Sequence, residues 1–316
     1  MDDYKFNEYK FNEIYLPNTL TYPVGEYQDL LLPEDIWLLI LMELPFEIGI
    51  KFKLVPKFLN ILFYKSVTVI PKTYIRRLKF NNELKKYVNL TKLDLFNNYE
   101  ITDESISQLN NLTKIDLRAN IIITNNGISR LTKLNHINLS KNNITTDNCI
   151  SKLTNITNLN LVLNYKITDN CISLLTNLKH LNICNNNKIT DNSIMILTNL
   201  ESLSINCGNY YNITDNSLTN LINLTVISIG TNISITNEGL KKLSSYNNLT
   251  KLSLSDNYIS SYGIKELYSL TSLNIKMNTR INDDGIKNLT NLTELGKNRL
   301  ISNRCINSLK SLTNIF

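Results

Sequence analysis

The stretch that decides the fold is 90–98, which reads Leu-Thr-Lys-Leu-Asp-Leu-Phe-Asn-Asn. Apolar side chains alternate with polar ones around Leu93 and Leu95, which is the two-residue period of a β-strand. Leu93 and Leu95 should therefore point into a core, while Lys92 and Asp94 should point to solvent. A strand with one buried face needs a second layer to cover it, so the residues that follow must supply that layer.

The same phase returns about every 22 residues along the rest of the chain. The residues equivalent to Leu90 are Leu112, Leu134, Ile156, Leu178, Leu200, Leu224, Leu249, Leu270 and Leu292, with a fragment at Leu312. The second half of each unit also repeats, since Thr102 and Asp103 precede Ile106 and Leu109 at helical spacing. Thr or Asp in this place is typical of a helix N-cap, so each unit should carry a short helix whose apolar side chains turn inward.

This pattern resembles the leucine-rich repeat, whose units have about 20–29 residues and contribute one strand each. The resemblance implies an α/β fold, a solenoid with a curved parallel sheet and short convex helices, built from about ten repeats over residues 90–316. Residues 71–89 are expected to form a linker and a capping repeat, with Ile75, Leu78 and Phe80 on its strand pattern.

An asparagine closes the strand motif in nearly every unit. The equivalent residues are Asn98, Asn120, Asn142, Asn164, Asn186, Asn232, Asn257 and Asn278. An amide side chain both donates and accepts, so it can satisfy turn backbone groups from one repeat to the next. These residues should form a buried ladder, and the ladder should be interrupted where Gly208 takes the asparagine's place.

The outward-facing strand residues predict a docking surface for a target protein on the concave face. The candidates are Lys92, Asp94, Phe96, Lys114, Asp116, Arg118, His136, Asn158 and His180. His136 and His180 lie two repeats apart, about 10 Å at the usual strand spacing. No carboxylate stands between them in their column, so a zinc site is not expected. Cys184 lies four residues after His180 on an extended chain, too far for a Cys–His nucleophilic pair.

Composition bounds the remaining function classes. Phosphate-binding glycine loops and nucleophile motifs are not found, so the sequence predicts a non-enzyme without cofactor or metal. The five cysteines lack paired spacing, which favours free thiols in the cytoplasm or nucleus. Between Lys51 and Lys86, ten basic residues accompany one acid, Glu83. Without a nucleic-acid motif this is expected to be a solvated face, and neither a signal peptide nor a membrane span is indicated.

The chain before the repeats divides in two. Residues 1–28 show no sustained helical or strand period and are expected to be a flexible arm. At Pro33 the pattern changes to a helix that ends near Leu44 and Pro45, because proline suits the first helical position and acids suit a helix N-terminus. This helix is apolar on every side from Ile36 to Met42, so part of its surface should meet another protein or the first repeats.

Residues 29–70 resemble the F-box. The resemblance rests on Leu32-Pro33-Glu34-Asp35-Ile36, on Ile40 and Leu44 at the family's spacing, and on Leu54-Val55-Pro56-Lys57-Phe58. It implies a small all-α domain that docks on a Skp-type adaptor and so joins a cullin ubiquitin ligase. The residues implied to bind the adaptor are Leu32, Pro33, Ile36, Ile40, Leu44, Leu54 and Val55.

Two functions follow from this organisation. In the first, the chain is a substrate-recognition subunit of a cullin-type (SCF) ubiquitin ligase, with the target held by the repeats. In the second, the helices merely cap the solenoid, and the chain is a protein-binding scaffold without ubiquitin machinery. The discriminating feature is whether the helix that contains Ile36 faces solvent or packs on the first repeats.

Overall fold

The computed structural model describes residues 34–50, 57–75, 81–205, 212–255 and 257–316. The described strands form one parallel sheet of eleven strands in strictly sequential order. They are β1 Lys92–Asp94, β2 Lys114–Asp116, β3 His136–Asn138, β4 Asn158–Asn160, β5 His180–Asn182, β6 Ser202–Ile205, β7 Val226–Ile229, β8 Lys251–Leu254, β9 Ser272–Asn274, β10 Glu294–Gly296 and β11 Asn314–Ile315. The predicted repeat solenoid is confirmed, with one strand per unit.

Short helices alternate with these strands along the chain and lie on the other side of the core from the sheet. Before β1 the structure has α1 Glu34–Glu43, α2 Phe46–Gly49, α3 Lys57–Ser66, α4 Lys72–Ile75 and α5 Asn81–Leu84. The repeats add α6 Asp103–Ile106, α7 Asn125–Ile128, α8 Asp147–Ile150, α9 Asp169–Ile172, α10 Asp191–Ile194, a 3-10 helix Asp215–Leu218, α11 Asn237–Ser244, α12 Ser261–Ile264, α13 Asp283–Ile286 and α14 Asn303–Ser308. In the part of the chain that the structure describes, no helix is long and apolar enough to cross a membrane.

One continuous apolar core fills the space between the sheet and the helices, from Phe63 to Leu309. The first regular repeat shows its composition: Leu93 and Leu95 enter from the strand, and Ile106 and Leu109 enter from the helical side, all at most 3% exposed. Each unit's apolar face is covered by its neighbours, which is why the array folds as a stack.

Buried asparagines join successive turns. The Asn120 amide donates to the carbonyl oxygens of Asn98 (2.8 Å) and Leu95 (3.2 Å), and its Oδ1 accepts from the backbone N–H groups of Ile122 and Ile123. The other predicted ladder positions are also buried. Gly208, where an interruption is expected, lies outside the described residues. These side chains satisfy turn backbone groups that the sheet and helices leave unpaired.

The asparagine ladder extends one repeat beyond the sequence prediction. Asn298 is 5% exposed, and its amide donates to the carbonyl oxygens of Asn278 (2.7 Å) and Ile281 (2.9 Å). This repeat is two residues short, and the shortening falls between Leu295 and Asn298. This repeat therefore has no equivalent of Leu95, the second inward-facing residue of the strand motif, but it keeps the asparagine that bonds to the preceding repeat.

A second ladder runs along the helix starts. Asp103 accepts from both the backbone N–H and the hydroxyl of Thr124 in the next repeat, while the Thr124 hydroxyl caps its own helix by accepting from the Asn126 N–H. The same pairing recurs at Asp147–Thr168, Asp169–Thr190, Asp191–Thr214, Asp215–Thr236 and Asp283–Ser302. The sequence predicts the threonine caps, but not that each aspartate reaches the following repeat.

A third set of bonds between repeats comes from the asparagine before the first apolar residue of a repeat and from the threonine after that residue. Asn111 donates its amide to the Val88 carbonyl oxygen (3.1 Å), and the Thr113 hydroxyl donates to the Thr91 carbonyl oxygen (3.1 Å). Equivalent bonds follow at Asn155, Asn177, Asn199, Asn223, Asn248 and Asn291. Asparagine and threonine are therefore abundant because the stack uses their side chains at fixed positions.

The sheet begins earlier than the sequence predicts, which corrects the strand assigned to residues 75–80. Ile75 ends α4 instead, while Leu78 and Phe80 lie outside the described residues. The capping contact comes from Val69, which forms a parallel bridge to Lys92, and from Thr68, whose carbonyl oxygen accepts from the Thr91 N–H at 2.8 Å. The capping unit, by which we mean the chain from Thr68 to the first regular repeat at Leu90, therefore starts within residues 29–70, the segment that resembles an F-box.

The N-terminal helices have two different contacts. α1 packs on α3 through a small cluster of Leu41, Leu59 and Leu62 that is separate from the main core. The main core instead takes in an aromatic cluster that joins α2 and α3 to the capping unit, formed by Phe46, Phe63, Tyr64, Tyr74 and Tyr87. The flexible arm, residues 1–28, lies outside the described residues.

Candidate functional site

Strand pairing places the predicted concave residues in straight columns. One column runs in register from Lys92 through Lys114, His136 and Asn158 to His180, one residue per strand. The next column runs Asp94, Asp116, Asn138, Asn160, Asn182. Adjacent strands lie about 4.8 Å apart, so side chains in a column are immediate neighbours.

These columns form the floor of a groove of about 630 Å³ that extends from the capping unit to β6. Val69, Ile70 and Pro71 close its first end, and Ser202 and Ser204 lie at the other. The sequence does not assign the first three residues to this surface, because it places the capping strand a few residues later. A period of about 22 residues counted back from Lys92 would have located them.

Charges concentrate on the first two strands of the groove. Lys92 lies directly beside Lys114, and Asp94 directly beside Asp116. Arg118 donates from Nε to the Asp116 carboxylate, 2.9 Å from Oδ2, and its guanidinium stacks 4.8 Å from the Phe96 ring centre. The hydrogen bond to Asp116 raises the pKa of Arg118 above its ordinary value. The structure thus joins three predicted residues, Phe96, Asp116 and Arg118, in one cluster.

The two histidines remain apart, one on β3 and one on β5. His136 is half-buried, and its Nδ1 lies 3.3 Å from Asn135 Oδ1. Burial lowers the pKa of His136, and the nearby charges of Lys114 and His180 lower it further. Cys184 Sγ lies 3.2 Å from Ser204 Oγ. Among the described residues, no group of three or more His, Cys, Asp or Glu side chains could hold a metal ion.

Solved structures with the same architecture are found among known proteins. An internalin from Listeria monocytogenes is 27% identical, with a TM-score of 0.51, over 73% of this chain and 75% of its own. TLR13, in its complex with ssRNA13, is 23% identical with a TM-score of 0.52. That match covers 75% of this chain and 37% of TLR13. Both are leucine-rich-repeat proteins.

This chain has a leucine-rich-repeat fold. No protein-family model matches it, and no curated protein matches it. The internalin match spans about three quarters of both chains. The TLR13 match covers little more than a third of that protein and supports the fold alone.

Two cysteines of the leucine-rich repeats serve in packing. Cys149 and Cys171 occupy equivalent places on α8 and α9 and are at most 1% exposed. Burial raises the pKa of the Cys149 thiol to about 11 and raises that of Cys171 as well. Thiols that stay protonated at neutral pH are poor nucleophiles, so these two residues are unsuited to covalent chemistry.

A second candidate surface lies on α1, before the leucine-rich repeats. Ile36, Leu39 and Ile40 share one side of this helix at helical spacing and are 40%, 60% and 39% exposed. Leu44 is half-buried against the small helical cluster. The remaining residues of the predicted adaptor surface lie outside the described residues: Leu32, Pro33, Leu54 and Val55.

Proposed function

We propose that this chain is a substrate-recognition subunit of a cullin-type (SCF) ubiquitin ligase. The helices before residue 70 bind a Skp-type adaptor, and the leucine-rich repeats hold a target protein in the concave groove. The chain itself is non-catalytic, and its part in ubiquitin transfer is to bring the target close to the ligase.

The exposed apolar side of α1 carries this proposal. A helix with a wide apolar surface normally buries it, and among the residues that the structure describes only α3 covers one side of α1. Ile36, Leu39 and Ile40 remain open to solvent. Contiguous exposed apolar side chains typically mark a protein interface. The position of this helix immediately before a binding solenoid agrees with the F-box resemblance.

The open side of α1 is large enough to contribute to docking. Burying one aliphatic side chain completely contributes about 1.5–3 kcal/mol, and these three are about half exposed. Covering them would therefore contribute about 2–4 kcal/mol. This is part of a stable interface, which agrees with the further adaptor-binding residues that the F-box resemblance implies.

The aromatic cluster between α2, α3 and the capping unit fixes the helices relative to the repeats. Phe46 and Tyr74 stack edge to face with ring centres 4.8 Å apart, and so do Tyr64 and Tyr87. Because these rings belong to the main core, the helical segment cannot rotate freely against the groove. A rigid connection is useful in a recognition subunit, since it holds a bound target at a set distance from the adaptor.

The proposal is tested with a purified Skp-type adaptor in a pull-down and by calorimetry. We expect the unmodified chain to bind the adaptor, and the triple variant Ile36→Ala, Leu39→Ala, Ile40→Ala to lose at least tenfold in affinity. The matched control changes three apolar residues of similar exposure on the repeats, namely Leu174→Ala, Ile196→Ala and Ile222→Ala. An adaptor that fails to bind, or that binds both variants equally, would contradict the proposal.

The second candidate is a protein-binding scaffold that works without ubiquitin machinery. The observation that favours it is the same aromatic cluster, which makes α2 and α3 a cap for the first repeat. In this case the triple variant changes stability or solubility, and the adaptor binds neither form. Retention of target binding without adaptor binding would select this function.

A further inference from the structure

Basic side chains line the first part of the groove in a single row. Lys92, Lys114, His136 and His180 occupy one column on strands β1, β2, β3 and β5, and Asn158 occupies the same column on β4. Four strand spacings separate the first from the last, about 19 Å. All five residues line the same groove.

This arrangement of charges does not favour the fold. Like charges directly opposite each other on neighbouring strands are destabilising, and both Lys92–Lys114 and Asp94–Asp116 are such pairs. Exchanging Lys92 with Asp94 on β1 would instead place opposite charges side by side on β1 and β2. Neither Lys92 nor Lys114 forms an ion pair with a described residue. A charge pattern that costs stability and lines a groove indicates a ligand of opposite charge.

The carboxylates of the groove only partly offset these cations. Asp116 is held by Arg118, and Asp94 Oδ1 accepts a hydrogen bond from the Phe96 N–H at 3.0 Å. With Arg118, which follows β2, three cationic side chains in this part of the groove therefore accompany two carboxylates. Protonation of His136 and His180 would add two further positive charges to the same row.

The two histidines have different neighbours on the adjacent strands. His136 lies opposite Lys114 on β2 and Asn158 on β4, with Asp116 two residues further along β2. His180 lies opposite Asn158 on β4 and Ser202 on β6. The carboxylate near His180 is Glu201, which is paired with Lys179 at 2.7 Å. Burial, together with the charges of Lys114 and His180, lowers the pKa of His136, so this side chain gains its charge at a lower pH than an ordinary histidine.

We propose that the groove binds an extended acidic peptide segment across β1–β5, and that it binds this segment more tightly as the pH falls. At about 3.3 Å per residue, a segment of about six residues spans the row of basic side chains. This inference rests on the proposed function, because it names the chemical class of the target that the repeats hold.

The experiment measures the binding of a fluorescent octapeptide of alternating Glu and Ser to the full chain by anisotropy at pH 8 and pH 5. The control peptide has Gln at every Glu position. Glutamate stays largely ionised at pH 5, so the change in charge belongs to the protein. We expect the Kd for the Glu peptide to fall about 2- to 30-fold between pH 8 and pH 5, the range expected of two exposed ion pairs.

Two variants assign the effect to the row. His136→Asn with His180→Asn should remove the pH response, and Asn is known to fit because Asn158 occupies the same column. Lys92→Gln with Lys114→Gln should weaken binding at both pH values and keep the response. The matched control, Lys251→Asn, changes the same column on β8, beyond the groove, and should leave both unchanged.

Several results would overturn the inference. They are equal binding of the Glu and Gln peptides, no binding of the Glu peptide at concentrations up to about 1 mM, and an unchanged pH response in the double histidine variant. Stronger binding of a single-stranded RNA of matched charge would show a nucleic-acid site instead. The double histidine variant should still bind the adaptor, so a failure here and a failure of the ubiquitin-ligase proposal are distinguishable.

Discussion

The asparagine ladder makes the sharpest prediction about stability. Asn120 is fully buried, donates to the Asn98 and Leu95 carbonyl oxygens, and accepts from the Ile122 and Ile123 N–H groups. The Leu95 oxygen keeps a second donor, the Asn98 N–H, and the Ile122 N–H is half-buried and can reach water. Asn120→Ala therefore leaves two buried backbone groups without a hydrogen-bond partner, namely the Asn98 carbonyl oxygen and the Ile123 N–H.

Each buried group left without a hydrogen bond costs about 1–3 kcal/mol, so Asn120→Ala should lower the free energy of unfolding by about 2–6 kcal/mol. The assay is urea unfolding followed by circular dichroism and tryptophan fluorescence in parallel, because a repeat array can depart from two-state behaviour. The matched control is Asn110→Ala, at an exposed asparagine of the preceding repeat, which should change stability by less than about 0.5 kcal/mol. If the two variants unfolded at the same urea concentration, the ladder would not support the stack as described.

Three further predictions test other parts of the structure. Ala119 has a φ of 50°, so Ala119→Gly should raise the free energy of unfolding by about 0.5–1 kcal/mol in urea titrations, and a decrease would contradict the backbone assignment. Hydrogen bonds from Ser302 hold the pKa of Asp283 below its ordinary value, so the stability this residue provides is present at neutral pH and is lost as pH falls through the lowered pKa. Ser302→Ala should move that pKa upward in an NMR titration, and an unchanged pKa would contradict the assigned cause. Lys114→Gln should raise the melting temperature slightly, because it removes a like-charge pair, while weakening the acidic peptide; loss of both would contradict the charge argument.

The sequence predicts the repeats well because their signal is periodic. Leu93, Leu95, Ile106 and Leu109 recur in step, and a strand period followed by a capped helical turn allows one arrangement of the chain. The register of the concave columns follows from the same spacing. Lys92 and Lys114 stand side by side because their repeats have equal length.

Other features depend on contacts that one unit does not show. In the sequence of its own repeat, Asp103 is only an acid at a helix N-terminus. Its hydrogen-bond partner, Thr124, lies 21 residues away in the next repeat. The capping contact at Val69 follows directly on α3, so its strand pattern merges with the apolar helix. Asn298 comes two residues earlier than the spacing of the other repeats predicts, because its repeat is shortened. A comparison of whole repeats, position by position, could have found all three.

The exposed apolar side of α1 could be expected only in part. The sequence shows that the helix is apolar on every side, but not which side α3 covers. The structure places Trp37, Leu38 and Leu41 toward the small helical cluster and leaves Ile36 and Leu39 open. The choice depends on how two helices pack, which their separate sequences leave undetermined.

Hydrogen–deuterium exchange of the chain, with and without a purified Skp-type adaptor, tests the central claim most directly. The account predicts slower exchange in α1 and α3 on adaptor binding, with the amides of β2–β10 unchanged. An acidic peptide should give the opposite pattern, protecting β1–β5 and leaving α1 unchanged. Adaptor-induced protection that fell on the concave strands, or no protection anywhere, would contradict the assignment of separate surfaces to adaptor and target.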